Sequence, residues 1–243
     1  MKTLPSVFTI AVAAGVIGGI SSGAVAAPIT YDFTGTVAGN QALGASHTYT
    51  AAGAPNITAI SGSYTQSGSG APIAGDVFSS GGQLVGNNRG ADEMGVGVCF
   101  GNGCNRDDIN DDPEIDASGR EVVRLDITSL LAANFGSFII NADSATGGEK
   151  LGIFAGNATG TALGAKLADG TSSGGNVSIT PPSNFLFFVA DNTTTSEANV
   201  LLHSLTATPN GVPEPTTLAL LVTAIFGVGL MRQRRRSSPV RVY

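Results

Sequence analysis

Tryptophan is absent from this chain of 243 residues, and only 12% of its residues are charged. Four tyrosines are present, so aromatic platforms on which sugar rings could stack are few. There are two cysteines and two histidines, and a zinc site normally takes four ligands of these types. The histidines lie far from the cysteine pair in sequence, which argues against such a site.

Glycine, in contrast, is abundant, with 34 residues, roughly twice its usual share. Glycine, serine, threonine, asparagine and alanine dominate the chain, a composition that favours short strands joined by tight turns over long helices. Dense runs of valine, isoleucine, leucine and phenylalanine distinguish it from a wholly disordered chain.

Alternating or continuous apolar patterns predict a series of short strands. The segments are 29–37, 57–65, 94–100, 121–127, 135–142, 151–155, 185–190 and 199–208. In segment 121–127 the alternation places Val123 and Leu125 in the core and Arg124 in solvent, whereas 185–190 is expected to be covered on both faces. A helical turn is expected near 129–134, and 156–175 is expected to be a connector. Eight to ten strands with frequent turns predict an all-β fold, an antiparallel β-sandwich that is jelly-roll-like, over residues 27–208.

The first 26 residues have the pattern of a signal peptide. Lys2 provides a positive charge, Val7 to Ile20 form an apolar run, and Ala24 and Ala26 form a small-x-small cleavage signal. We expect cleavage between Ala26 and Ala27, and the alternative is a retained anchor.

The segment between the two ends is strongly acidic. Residues 27–212 contain 17 Asp and Glu against 6 Lys and Arg, a net charge of about −11. Such a surface repels phosphate backbones, so nucleic-acid binding is not expected.

The C-terminus combines a linker, an apolar stretch and a basic cluster. The linker is 209–215, and the uncharged stretch 216–231 would span about 24 Å as a helix, short of the roughly 30 Å hydrocarbon core. We expect it to be a single transmembrane helix, with the basic tail 232–243 held in the cytoplasm. The basic cluster is Arg232, Arg234, Arg235 and Arg236.

This tail resembles the tripartite PEP-CTERM sorting signal. The resemblance covers about the last 25 residues and starts from Val212, Pro213, Glu214 and Pro215. It implies a Gram-negative bacterial host, export through the general secretion machinery, and an inner-membrane intermediate processed by exosortase at the Pro-Glu-Pro step. It also implies delivery to the cell surface or an extracellular matrix, where exopolysaccharide is a possible partner. The alternative is an ordinary single-pass anchor.

A looser resemblance concerns the sandwich. The segments 92–98, 113–116 and 121–125 look like the β-sandwich core of many PEP-CTERM-bearing proteins, although Met94 stands where leucine is usual. No activity follows from it.

The two cysteines flank a tight-turn dipeptide. Cys99 and Cys104 enclose Asn102-Gly103, and in an oxidising compartment this arrangement predicts a hairpin disulfide.

An acidic segment follows. Its hard oxygen ligands recur at every second residue, a pattern that suits Ca²⁺, although the spacing is not that of an EF-hand. The candidate ligands are Asp108, Asn110, Asp112, Glu114 and Asp116. A solvated loop without a cation is the alternative, and calcium is the one cofactor that the sequence suggests.

A serine hydrolase motif occurs without its usual context. Gly170 to Gly174 fits G-x-S-x-G and is followed by Asp191 and His203, but a Gly/Ser loop surrounds Ser172 where an elbow between a strand and a helix is required. We expect His203 to be a strand residue with an ordinary hydrogen bond.

These patterns predict a non-enzymatic exported protein, structural or adhesive, at the cell surface or in an exopolysaccharide or biofilm matrix. The alternatives are a secreted carbohydrate-active enzyme or carbohydrate-binding module on the same sandwich, and a permanently anchored periplasmic binding protein.

Overall fold

The computed structural model describes residues 27–36, 38–66, 71–90, 94–100, 115–116, 120–143, 150–171, 175–191 and 199–211. All of them except Gly211 lie in one compact unit, Ala26–Asn210. Fifteen strands and one short helix occur in these residues. In chain order they are β1 (Ile29–Asp32), β2 (Gly39–Gly44), β3 (Ser46–Tyr49), β4 (Ile57–Thr65), β5 (Val77–Ser80), β6 (Gln83–Asn88), β7 (Met94–Cys99), β8 (Ile115–Asp116), β9 (Glu121–Asp126), α1 (Thr128–Ala132), β10 (Phe135–Asp143), β11 (Lys150–Gly156), β12 (Leu163–Thr171), β13 (Asn176–Ile179), β14 (Phe185–Ala190) and β15 (Asn199–Pro209).

The strands form two antiparallel sheets. The first has the order β13-β10-β15-β7-β6-β2, with β1 and β8 also paired to β15. The second has the order β12-β11-β14-β9-β4-β3, with β5 paired to β4. The two sheets therefore have the layered arrangement of a β-sandwich, as the sequence predicted.

The main core lies between the two sheets. Leu84, Phe138 and Leu205 come from the first sheet, while Leu125 and Phe188 come from the second, and all are fully buried. Val123 and Leu125 face this core, as the alternation in β9 predicted.

A second apolar cluster covers the outer face of the second sheet. Phe187 and Val189 pack there with Phe78, Phe154 and Leu163. Residues Leu186 to Ala190 are thus buried on both faces of β14, which confirms the interpretation of this apolar run as a doubly covered strand.

The prediction that Arg124 faces solvent is wrong. Its guanidinium carbon lies 4.9 Å from the ring centroid of Phe78 and 5.4 Å from that of Phe185, and Nη1 donates a hydrogen bond of 2.7 Å to the carbonyl of Gly160. Strict alternation gave the correct face but not its environment, because the aromatic cluster covers that face.

The sequence patterns do not predict seven of the fifteen strands of the described residues, namely β2, β3, β5, β6, β8, β12 and β13. β2 and β3 have no continuous apolar pattern, and β12 lies inside the predicted connector 156–175, where it pairs with β11 through two register irregularities. These three strands are partly exposed, and the sheet neighbour rather than intrinsic propensity determines their conformation.

Candidate functional site: a polar cleft beside the β2–β3 corner

Most residues singled out for sorting and for metal binding lie outside the described residues. They are Ala24, Ala26, Cys104, Asp108, Asn110, Asp112, Glu114, Val212, Pro213, Glu214, Pro215, Arg232, Arg234, Arg235 and Arg236. The expected signal peptide, transmembrane segment 216–231 and Ser172 also lie outside them. No helix in the described ranges is long and apolar enough to cross a membrane. These assignments therefore stay predictions.

Three further predicted site residues are described at least in part. Ala27 is exposed and precedes β1 by two residues. Cys99 ends β7, is 6% exposed, and is not a free thiol. Asp116 ends β8, whose backbone pairs with Asn199 of β15. The Cys99–Cys104 pairing and the calcium site remain predictions, since their other members are outside the described ranges.

The two described candidates for a catalytic triad have separate partners. His203 lies on β15 in the first sheet, and its Nδ1 is 3.0 Å from Oδ1 of Asn141, which confirms the expectation of an ordinary hydrogen bond. Asp191 directly follows β14 of the second sheet, is 6% exposed, and binds Lys166. These contacts give neither residue a catalytic geometry.

Lys166 also contacts Asp169, so one ammonium group holds two carboxylates. Burial alone would lower the pKa of Lys166, but its hydrogen bonds to Asp169 and Asp191 outweigh burial and raise it. This cluster neutralises the buried carboxylate of Asp191 and fixes β12 against the end of β14.

A polar cleft of about 220 Å³ lies where the chain passes from one sheet to the other. It is lined by the end of β1, the loop that follows it, β2, and β3. The lining residues are Asp32, Thr34, Gly35, Thr36, Gln41, Leu43, His47, Thr48, Tyr49 and Thr50.

The corner between β2 and β3 positions one wall of the cleft. Gly44 has a φ of +83°, a conformation that favours glycine, and Ala45 alone separates β2 of the first sheet from β3 of the second. The backbone amide and the hydroxyl of buried Ser61 each donate a hydrogen bond of 3.1 Å to the Ala45 carbonyl. Hydrogen bonds from β4 therefore fix the position of the corner.

The loop after β1 forms the opposite wall. The Gly35 amide donates to the Asn87 carbonyl at 3.1 Å, and the side chain of Asn88 donates to the Gly35 carbonyl at 2.9 Å. A Cβ at position 35 would lie 2.8 Å from the carbonyl oxygen of Gly86, so glycine permits this close approach to β6.

Two polar side chains are oriented by this loop. One Asp32 carboxylate oxygen accepts the Thr34 amide at 2.8 Å. The Gln41 carbonyl oxygen accepts both the amide and the hydroxyl of Thr36, at 3.0 and 2.9 Å. Within the described residues, the second Asp32 oxygen and the Gln41 amide nitrogen have no hydrogen-bond partner, which leaves one acceptor and one donor group for a ligand.

Aromatic rings form the apolar part of the site. The Tyr49 ring packs edge-on against Phe33, with centroids 4.6 Å apart, and against His47, with centroids 4.7 Å apart. Phe33 is fully buried in the main core, so the core fixes the position of Tyr49.

The Tyr49 hydroxyl is an unusual group. Tyr49 is only 8% exposed, and its hydroxyl oxygen has no hydrogen-bond partner in the described part of the chain. Burial, and then the negative charge of Asp32, raise the pKa of Tyr49 well above its ordinary value, so the group is a neutral phenol. A buried polar group without a partner costs free energy, and such groups often mark functional sites.

The cleft does not have the composition of a metal centre. Asp32 and His47 are its only residues of types that commonly bind metals, and no group of three such residues occurs anywhere in the described ranges.

Sequence reasoning missed this cleft because its polar residues match no motif. Asp32, Gln41 and His47 are spread over sixteen positions and converge only because β2 and β3 belong to different sheets. The one local signal was the run of polar residues around predicted strand ends, which is common in glycine-rich β proteins.

The chain matches no protein-family model, no curated protein and no solved structure.

Proposed function

We propose that this chain is an exported bacterial protein that exosortase processes at its C-terminus and that acts, without catalysis, at the cell surface or in an extracellular matrix. The observation that carries the proposal is the succession of three segments in the C-terminal sequence. Pro213-Glu214-Pro215 is followed by the apolar segment 216–231 and then by a cluster of arginines. The signal-peptide pattern of residues 1–26 supports it independently, because both ends specify export.

The place where the sheet ends suits processing. β15 ends at Pro209, and Asn210 and Gly211 are exposed. Only Val212 separates them from Pro213. Two prolines two residues apart favour an extended backbone and provide no amide for a sheet ladder, so a processing enzyme would meet an accessible strand.

The proposed topology follows from charge. The arginine cluster retains the C-terminus in the cytoplasm, and the segment 216–231 is a temporary inner-membrane anchor. The jelly-roll-like sandwich then lies outside as the ectodomain, and removal of the tail releases it to the surface or to exopolysaccharide. A structural or adhesive role fits a compact acidic sandwich of this kind.

Two other functions have weaker support. A carbohydrate-active enzyme generally needs two carboxyl groups flanking the scissile bond. The cleft is lined by one carboxylate, Asp32. A permanently anchored periplasmic binding protein would retain its basic tail after maturation.

Replacement of the motif tests the proposal in cells. A triple variant, Pro213→Ala, Glu214→Ala and Pro215→Ala, should accumulate in the inner membrane, because the processing step loses its recognition sequence. The matched control is Ser237→Ala with Ser238→Ala, which changes the same tail beyond the arginine cluster. Membrane, surface and medium fractions are compared by immunoblot with an antibody against the sandwich.

The control should reach the surface or medium as wild type does. Equal release of the triple variant and the control would contradict the proposal, as would retention of wild type in the inner membrane.

A further inference from the structure

None of the residues that line the polar cleft belongs to the terminal segments on which the export proposal rests. The geometry of the cleft is nevertheless well fixed. One wall is held by Ser61 under the β2–β3 corner, the other by Asn87 and Asn88 of the first sheet. These hydrogen bonds involve the backbone of both walls, so the shape of the cleft does not depend on side-chain conformation alone.

The cleft contains both donor and acceptor groups. The second carboxylate oxygen of Asp32 is an acceptor, and the Gln41 amide nitrogen is a donor. The hydroxyls of Thr34 and Thr50 can both donate and accept, whereas the Thr36 hydroxyl donates to Gln41 and can only accept from a ligand. A ligand that satisfies this set must offer several donors and acceptors on neighbouring atoms, as adjacent hydroxyls on a saccharide ring do.

Apolar surface is interleaved with these groups. Leu43, the Tyr49 ring and His47 also line the cleft. The C–H groups of a saccharide ring can pack against such surfaces while its hydroxyls bind the polar groups.

Charge narrows the class of ligand. No lysine or arginine lines the cleft, and Asp32 brings a negative charge. Phosphates, sulfates and other anions would be repelled there, so an uncharged saccharide is favoured over an anionic one.

The volume of the cleft narrows the class of ligand further. The volume of about 220 Å³ is below the roughly 300–1,000 Å³ typical of pockets for drug-sized ligands. The cleft therefore suits one ring, with the rest of a polymer lying in solvent.

We propose that the cleft between β1, β2 and β3 binds a single neutral saccharide ring, with Asp32 accepting and Gln41 donating hydrogen bonds to adjacent hydroxyls. The identification of this ring as part of a matrix exopolysaccharide rests on the proposed function, whereas binding of the ring itself does not.

Two variants reverse one hydrogen-bonding group each and preserve the loop. Asp32→Asn keeps the oxygen that accepts the Thr34 amide but converts the free acceptor into a donor. Gln41→Glu keeps an oxygen for Thr36 but converts the free donor into an acceptor. Each is expected to weaken binding about tenfold or more, because a hydrogen bond is lost and a like group faces the ligand.

The chain provides a matched control in Asp126→Asn. Asp126 ends β9 and accepts the amide of Thr128 at 3.0 Å, the same local arrangement as at Asp32, but it does not line the cleft. This variant should bind as wild type does.

Binding is measured by saturation-transfer NMR. The protein is purified from its own host as the mature form that the cell produces. The probes are D-glucose, D-galactose, D-mannose and N-acetyl-D-glucosamine, each tested alone. Saturation transfer to at least one sugar, weakened in Asp32→Asn and Gln41→Glu and unchanged in Asp126→Asn, is the expected result. Transfer to none of the four, or equal binding by all three variants, would overturn the proposal.

A second arm distinguishes the sources of the ring. Exopolysaccharide and lipopolysaccharide from the same culture are tested for competition with the bound monosaccharide. Displacement by exopolysaccharide alone is expected for a matrix partner, and displacement by lipopolysaccharide alone would overturn the matrix assignment. Since monosaccharide binding is measured without reference to tail processing, failure of this proposal and failure of the export proposal are distinguishable.

Discussion

At the scale of single residues, Tyr49 links the core to the cleft. Its ring packs against the buried Phe33, while its hydroxyl is enclosed without a partner in the described residues. Tyr31 offers the opposite case, because its buried hydroxyl donates a hydrogen bond to the Pro55 carbonyl. Comparison of the two tyrosines therefore distinguishes the effect of an unpaired buried hydroxyl on the free energy of unfolding from that of a paired one.

We expect Tyr49→Phe to increase the free energy of unfolding by about 1 kcal/mol, because the change removes a buried polar group that has no partner. Tyr31→Phe, the matched control, should decrease it by about 1 kcal/mol because it leaves the Pro55 carbonyl unpaired. Urea unfolding of the purified variants measures both. A loss of stability in Tyr49→Phe as large as that in Tyr31→Phe would show that the hydroxyl of Tyr49 is satisfied in the folded protein.

The same variant has an expected pH dependence. Burial and then Asp32 raise the pKa of Tyr49 above its ordinary value of 10.0, and burial raises the pKa of Tyr64 to about 12. Above pH 10 these phenols ionise in the unfolded chain while they stay protonated in the folded one, so stability falls as pH rises. Tyr49→Phe should therefore lose less stability than wild type between about pH 8 and about pH 11. Parallel curves would contradict this assignment.

At the scale of elements, β4 and β5 lie very close together at Gly62. A methyl group on Gly62 would overlap the carbonyl oxygen of Ser79 and the ring of Phe78. Phe78 in turn stacks on Arg124 and packs against Phe187, so neither neighbour can move without disturbing the aromatic cluster.

Gly62→Ala is expected to lower the free energy of unfolding by about 1–3 kcal/mol through overpacking. The control is Gly211→Ala, where an added Cβ has no atom within 4 Å and stability should change by less than about 0.5 kcal/mol. Thermal or urea unfolding compares the two. If both variants keep wild-type stability, β4 and β5 can separate at Gly62 without loss of packing in the outer cluster.

The same elements show how far the sequence predicts the fold. β4 and β14 were predicted with their exact bounds, since aliphatic or aromatic runs end there at turn residues. The sequence pattern predicts a connector where β12 lies, because the small and polar residues at 163–171 form a strand only by pairing with β11. The alternation in β9 predicts Arg124 in solvent, because it does not reveal that Phe78 and Phe185 cover that face.

The candidate site was less predictable than the fold. Asp32 and His47 stand in different sheets, and only the crossing at Ala45 brings them together. A one-dimensional pattern contains no such information, whereas the sorting prediction rests on short linear segments at the two ends of the sequence.

At the scale of the whole molecule, the proposed function implies that the mature protein keeps the segment 27–212 and loses the C-terminal tail. The segment 27–212 carries a net charge of about −11, and five of the twelve basic residues lie at 232–241. Loss of the tail would leave a markedly acidic product that is repelled by anionic lipid surfaces and remains soluble in the matrix. The inner membrane would then hold the protein only transiently, before the tail is removed.

The most direct test of tail removal is the intact mass of the native protein, with C-terminal peptide spectra, from cells with and without their exosortase. The account predicts a mature form that starts near Ala27 and ends near Pro213 only when exosortase is present. A form that retains Arg232 to Tyr243 in both strains would contradict it and would identify the tail as a resident membrane anchor.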